Sequence, residues 1–498
     1  MVAMVNVKVR YRGEGKDILE ASPRYSEWVK EFSGGSGHVK ARVERDEKTL
    51  STIEMSKLMR INPNATERER KLYFVRRIGE LARSSRAFRN YMESCTHCGF
   101  CIDKCQMWLA TRDPNNSPVG RADLVRNIYR RMRRLTYGLI DKLSDEKELE
   151  SIIDSVDLDK IWTYYYQCTE CRRCAYFCPF GIDQAEVTRS IRQIFVEMGM
   201  MPPFIAKTME CVYKTGNNMC ITRDAALNVI DFVVNEISEQ TGKRMEGVVD
   251  KDKADVLYIP SSTDFFTNIG TLKGAIAIMT ELGLNWTMDS QSLEVGNFGL
   301  FEDEYHLRRF GDNIVNAALR RKVKVVVFGE CGHGWRAFKN YVVPRLAEHG
   351  IEGISITQLT AWAIRKGKLR FSKKVDAVVT YHDPCNLVRA GDLVEEPRLI
   401  LKSTVKEFRE REHNRERTLC CGAGGGLLLD ELMPLRVWAG WPSVYDAYRT
   451  GAQYMVAPCS IDKAQFPVVI EYHKVPLKFR GVSDFVYAAL YGVDIDAV

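Results

Sequence analysis

Between Glu67 and Arg89, apolar residues recur at helical spacing among many charges, which predicts an amphipathic helix running up to the first cysteines. Ala122 to Asp159 has the same period. So does Glu186 to about Asn235, where Met201-Pro202-Pro203 predicts an interruption. From about residue 250 the texture changes. Short apolar runs (Asp255–Ile259, Val323–Phe328, Ala377–Tyr381) alternate with helical stretches, which predicts parallel strands with crossover helices.

The longest apolar stretch, Asn268 to Trp286, carries Lys273 and Glu281. A membrane span needs about 18 uncharged apolar residues, so this stretch reads as a buried helix. The opening residues MVAMVNVKVRYRGEGK meet charge too early for a signal peptide. The expected location is therefore the cytoplasm. Hydrophobic residues make up 45% of the 498, which excludes a disordered chain. At about 150 residues per domain the length suggests three domains. The 72 basic and 65 acidic residues leave a net charge of +7, and nothing in their distribution points to nucleic acid. The densest basic run, Arg126 to Arg134, reads first as a solvated helix face. The other reading is a docking strip for an acidic partner or anionic lipid.

Fifteen cysteines change the picture. Without an export signal their tight grouping favours metal over disulfides. Cys95, Cys98, Cys101 and Cys105 form one group; Cys168, Cys171, Cys174 and Cys178, followed by Pro179, form another. Both have the C-x2-C-x2-C-x3-C spacing of bacterial ferredoxins, in which three thiolates hold one cubane and the fourth reaches the other. Cys95, Cys98, Cys101 and Cys178 are thus expected to hold one [4Fe–4S] cluster, and Cys168, Cys171, Cys174 and Cys105 a second. Gln106 stands where the proline usually follows, loosening a turn without removing a ligand. His97 is expected to face solvent, and Cys211 and Cys220 to be packed thiols.

A third constellation lies in the C-terminal half: Cys385 in Thr380-Tyr-His-Asp-Pro-Cys385, the pair Cys420-Cys421 before Gly422, Gly424 and Gly425, and Cys459 in Ala457-Pro-Cys459. Adjacent cysteines suit a core with several irons better than one tetrahedral metal. The glycines permit close backbone approach to such a core. The same skeleton occurs earlier without most of its cysteines. Tyr258 to Ser262 matches the Cys385 turn, Ser292 to Gly299 matches the Cys-Cys-Gly run, and Gly329-Glu-Cys331 matches Ala457-Pro-Cys459. Two α/β halves facing each other about a pseudo-twofold axis are expected, with one cluster between them.

This pattern resembles the CCG domain of heterodisulfide reductase catalytic subunits. With two ferredoxin motifs ahead of it, the chain resembles the HdrD type and, within that group, the DsrK or HmeD subunits of membrane-bound DsrMKJOP complexes. The resemblance covers roughly residues 90–470. With the periodicity along the chain, the expected organisation is an N-terminal helical region (1–90), a ferredoxin-like 2[4Fe–4S] domain in a helical setting (91–200), a helical linker (201–250), a degenerate CCG half (251–375) and a CCG half with the catalytic cluster (376–498). The fold class is thus a mixture of α+β and α/β. The resemblance implies a non-cubane [4Fe–4S] cluster on Cys385, Cys420, Cys421 and Cys459. The family's last ligand position holds Asp462 here, so the fifth ligand is Cys331 from the other half, or Asp462 or solvent. His382 and His333, beside these cysteines, are candidates for proton delivery to a leaving thiolate or for hydrogen-bonded structural roles.

The function implied is an electron-transfer and catalytic subunit on the cytoplasmic face of a membrane complex. Electrons would pass from a haem-b, DsrM-like integral membrane partner through two cubanes to the non-cubane cluster. That cluster would reduce a disulfide or trisulfide of a small DsrC-like protein. The alternatives are a CoM-S-S-CoB heterodisulfide reductase, a glycolate or lactate oxidase iron–sulfur subunit, and a non-catalytic electron carrier.

Overall fold

The computed structural model describes residues 58–137, 146–243, 248–294, 303–428 and 432–498. Most of the expected N-terminal helical region, and the end of the first-half motif from Val295 onward, lie outside the described residues.

Helix Glu67–Ser84 forms where the periodicity places it, started by a reciprocal capping box between Thr66 and Glu69. Helices Arg86–Glu93, Pro118–Tyr137, Leu158–Tyr165 and Gln184–Glu197 complete a bundle around the two ferredoxin-type cysteine groups. The break expected at Pro202 is present: helix Pro203–Thr215 starts with that proline as its N-cap. The helical pattern gives no sign of a second break. Gly216, at φ +74°, ends the helix, and a Cβ there would lie 2.6 Å from the Gln291 carbonyl oxygen. The chain then turns back so that Cys220 meets Cys211 in a disulfide. The expectation of two packed thiols is therefore wrong.

Beyond residue 250 lie two four-stranded parallel sheets. One contains β1 (Val256–Ile259), β2 (Trp286–Thr287), β3 (Val325–Phe328) and β4 (Glu352–Ser355), in the order β2-β1-β3-β4. The other contains β5 (Val375–Tyr381), β6 (Val405–Arg409), β7 (Tyr454–Val456) and β8 (Lys478–Arg480), in the order β6-β5-β7-β8. The two orders are the same topology, as the internal repeat requires. Strand side chains alternate between faces, and in the first sheet each face has its own core. Leu257, Ile259, Val326 and Phe328 join the core of the helical bundle. Val256, Tyr258 and Val327 join Val379, Tyr381 and Val456 of the second sheet. The first half is thus wedged between the bundle and the second half.

Helix Ile269–Glu281, the apolar stretch that carries Lys273, is buried as expected. It crosses helix Val482–Tyr491 so closely that a Cβ on Gly274 would fall 2.1 Å from the Ser483 carbonyl oxygen. Among the described residues no helix is long and apolar enough to cross a membrane.

Candidate functional site

In open α/β sheets, ligand sites lie beyond the carboxyl ends of the strands, where the strand order reverses. In the second sheet that place is between β5 and β7. Cys385 opens a short helix after β5, and Cys459 caps helix Ser460–Tyr472 after β7. In the first sheet the corresponding place lies between β1 and β3, where Ser261 and Cys331 stand. The two places face each other. Ser261 Oγ hydrogen-bonds Ser460 Oγ, and Ser460 Oγ donates to the Glu330 carbonyl at 3.2 Å. A Cβ on Gly332 would lie 3.2 Å from Cys459 Sγ and 3.4 Å from Pro384 Cβ. Cys331 is thereby brought from the first half to the cysteines of the second.

Cys420 and Cys421 reach the same place from the strap after β6. Cys331, Cys420, Cys421 and Cys459 are buried, and Cys385 is partly exposed. Burial pushes the Cys385 thiol up to about 12. A set of soft donors this dry is held as thiolates when a positively charged metal core neutralises it, and the residues present fit an iron–sulfur core. Asp462, one turn into the helix after Cys459, is buried beside Cys421 and Cys459, and burial raises its carboxyl to about 7.

His382 directly follows β5, with its ring edge-on to Phe466, centroids 4.8 Å apart. Its Nδ1 accepts from Arg411 at 2.8 Å, and its Nε2 lies 3.6 Å from Asp462 Oδ2. Burial, with Arg411 and Arg389 beside it, holds this imidazole well below its usual range. With Nδ1 accepting, the neutral ring carries its proton on Nε2, facing Asp462. His333 is also neutral: burial with Arg336 and Arg172 nearby lowers it to about 3. It packs against Gly424, whose Cβ would lie 3.3 Å from its ring.

The cysteines of the two ferredoxin-type groups border two neighbouring cavities. One cavity is bordered by Cys95, Cys98, Cys101 and Cys178, a second by Cys105, Cys168 and Cys171, and Cys174 borders both. Cys98 is exposed, so the first group lies at the surface. The second faces inward: Cys420 Sγ lies 3.3 Å from Thr169 Oγ1, within hydrogen-bonding reach of the Cys171 thiol. His97 is half-exposed and bonds Asp123 at 2.9 Å, away from any ligand role.

Three side chains, Arg192 and Gln106 buried and Arg389 partly exposed, staple the second group to the strap that carries Cys420, and no sequence motif signals this bridging. Arg192 donates to the Gly425 carbonyl at 2.8 Å and the Cys168 carbonyl at 2.9 Å. Arg389 donates to the Cys171 carbonyl at 2.7 Å and to the Thr418 carbonyl. Gln106 donates to the Cys420 carbonyl at 2.9 Å and the Ala439 carbonyl at 2.7 Å, and accepts from the Cys420 N–H. The glycines of the strap also lie close against the protein's own main chain. Their closest described neighbours are backbone atoms of the protein. A Cβ on Gly425 would lie 2.6 Å from the Cys168 carbonyl oxygen, one on Gly424 2.9 Å from that of Thr169, and one on Gly422 2.7 Å from Gly440 N.

Residues 91–182 match the 4Fe-4S dicluster domain, and residues 379–466 match the cysteine-rich domain called CCG. An "Hdr-like menaquinol oxidoreductase iron-sulfur subunit 2" of Archaeoglobus fulgidus is 32% identical over 464 residues, spanning 84% of this chain and 83% of its own. The corresponding iron–sulfur protein of Archaeoglobus profundus is also 32% identical, over 82% of this chain and 81% of its own. A component of the dihydromethanophenazine:CoB–CoM heterodisulfide reductase of Methanosarcina barkeri is 27% identical, over 75% of this chain and 87% of its own.

Proposed function

This chain belongs to the HdrD-like family of iron–sulfur oxidoreductase subunits, and from that membership we propose that it reduces a sulfur–sulfur bond with electrons supplied by a membrane partner. The observation that carries the proposal is the convergence of Cys331, Cys385, Cys420, Cys421 and Cys459 on one buried place, directly behind the second ferredoxin-type group. Cys95, Cys98, Cys101 and Cys178 hold the outer cubane, Cys168, Cys171, Cys174 and Cys105 the inner one, and the five converging cysteines a non-cubane cluster. When bound, these groups supply one-electron relay and an iron-rich surface for sulfur.

The chain's own residues set the direction and keep the site dry. The exposed edge at Cys98 is where the donor docks: a haem-b, DsrM-like protein oxidising quinol. The proposed position is peripheral, on the cytoplasmic face. Reduction of a disulfide takes up two electrons and two protons. His382, neutral with its proton on Nε2 and facing Asp462, is placed to pass protons inward, and His333 holds Gly424 in place. The substrate proposed is the disulfide or trisulfide of a small DsrC-like protein.

The test is replacement of Cys420 or Cys421 by serine, a harder and far less acidic ligand. Each variant is expected to lose the spectrum of the third cluster and all disulfide or trisulfide reduction, while the cubane signals persist. Undiminished sulfur-substrate turnover in both overturns the assignment.

A further inference from the structure

The second ferredoxin-type centre and the Cys-Cys-Gly strap are joined by several contacts, and one of them is made by a residue type foreign to its position. Gln106 directly follows Cys105 and is buried at 3% exposure. Its carboxamide makes three hydrogen bonds, two of them to the peptide N–H and C=O of Cys420. The third, to the Ala439 carbonyl, ties the same amide to helix Met433–Tyr448. The network fixes the orientation of the amide, because the flipped form would set its NH2 against the Cys420 N–H and its oxygen against two carbonyls. A proline here could make none of these bonds.

We infer that Gln106 is a positioning residue that locks the Cys420 peptide, and so aims the Cys420 thiolate between the inner cubane and the third cluster. The inference rests on the reading of Cys420 as a cluster ligand. Locking matters because Cys420 has two neighbours to serve. Its Sγ lies within reach of Thr169 Oγ1 and the Cys171 thiol on one side, and Cys421 on the other. Rotation of one peptide would favour one side over the other. It would also free the Cys420 N–H, and hydrogen bonds to cluster sulfur tune the potential of the cluster. Arg192 and Arg389 bridge the same two segments but grip carbonyls elsewhere, and both bring charge. Gln106 is neutral, so its effect is one of geometry.

The seam around Gln106 does not depend on these bonds. Met107 and Ala110 pack against Leu427, Leu432, Leu435 and Ala439. A volume-matched Gln106→Met variant should therefore stay folded and loaded. In the full chain with its clusters reconstituted, the iron content and both cubane signals should match wild type. The electron paramagnetic resonance spectrum of the third cluster should shift. Its reduction through the cubanes, followed by rapid mixing with an artificial donor, should slow by about 10- to 100-fold. Met107→Ala, which thins the apolar seam without touching the amide, should lower the melting midpoint and leave spectrum and rate as they were. A wild-type spectrum and rate in Gln106→Met overturns the inference. So does loss of all three clusters in both Gln106→Met and Gln106→Ala, which would make the residue purely structural. A wild-type chain with no third cluster overturns the reading beneath it. A shifted spectrum in a chain that reduces no sulfur substrate sustains the positioning role and removes only the proposed reaction.

Discussion

Cys331 and Cys459 occupy matched positions of the two halves with nearly the same backbone, φ −144° and ψ 119° for the first and φ −147° and ψ 125° for the second. Each follows a central strand and caps a helix, and the two meet across the pseudo-twofold. The Cys331 Sγ accepts from the Gly334 N–H at 3.3 Å, as a helix N-cap does. The first half has lost its own cysteine pair but still lends this residue to the other.

That pairing makes Cys331 the proposed fifth ligand. Cys331→Ser is expected to alter the third-cluster spectrum and leave both cubanes unchanged, whereas Asp462→Asn should leave the spectrum close to wild type. The reverse pattern, read by electron paramagnetic resonance, would assign the ligand to Asp462.

Cluster content is countable. Three four-iron centres require about twelve Fe per chain. Cys178→Ala should disturb the exposed centre and Cys105→Ala the inner one, because Cys178 borders the first cavity and Cys105 the second. Iron analysis near eight would remove the third cluster, and a spectrum in which Cys178→Ala disturbs the inner centre would refute that assignment.

The Cys211–Cys220 bond spans nine residues of chain. Closing a loop of that size contributes on the order of 2–3 kcal/mol in the chain-entropy picture. Alkylation of unfolded, unreduced, iron-free protein should label thirteen cysteines and spare these two. The double change to serine should lower the melting midpoint and leave all cluster signals in place.

At the seam between the halves, Lys463 lies fully buried among Glu330 at 3.0 Å, Asp264 at 3.5 Å and Thr271 at 2.7 Å. Burial works against its charge, yet Glu330 and Asp264 hold its pKa above the usual lysine range. Lys463→Met strands two buried carboxylates and is expected to cost about 3–5 kcal/mol in chemical denaturation.

Asp264 gives the same seam a pH dependence. Burial raises its carboxyl from 3.8 to about 7 against the pull of Lys463. A carboxyl raised in the folded state binds more protons there, so its contribution to stability falls as pH rises from about 4 to about 7. Compared with Asp264→Asn, wild type should therefore lose melting temperature between pH 5 and pH 8. The difference between the two proteins cancels the pH response of the clusters. An equal difference at both pH values would contradict it.

What the sequence revealed was what repeats locally. Cysteine spacing names its own chemistry, and the recurrence of Pro-Cys459 and Glu330-Cys331 before a helix exposes the two halves. The staples were illegible for a physical reason. Arg192, Arg389 and Gln106 bind peptide carbonyls and an N–H, and every residue carries those, so the partner leaves no mark in the sequence. Gln106 stood out only as a missing proline, and its partner lies 314 residues away. The Cys211–Cys220 bond was lost to an argument about compartment. Gly216 was the available signal, since a helix stopped by a left-handed residue can bring its flank back upon itself.

Where Gly424 and Gly425 rest on Thr169 and Cys168, peptide lies on peptide with no room for a side chain. The interval between the two cysteine motifs is therefore gauged by the thickness of the main chain, a dimension common to all residues. Substitutions on the outer surface of this molecule can alter its charge and its partners without touching this contact, as a gap set by the stock itself survives a change of fittings.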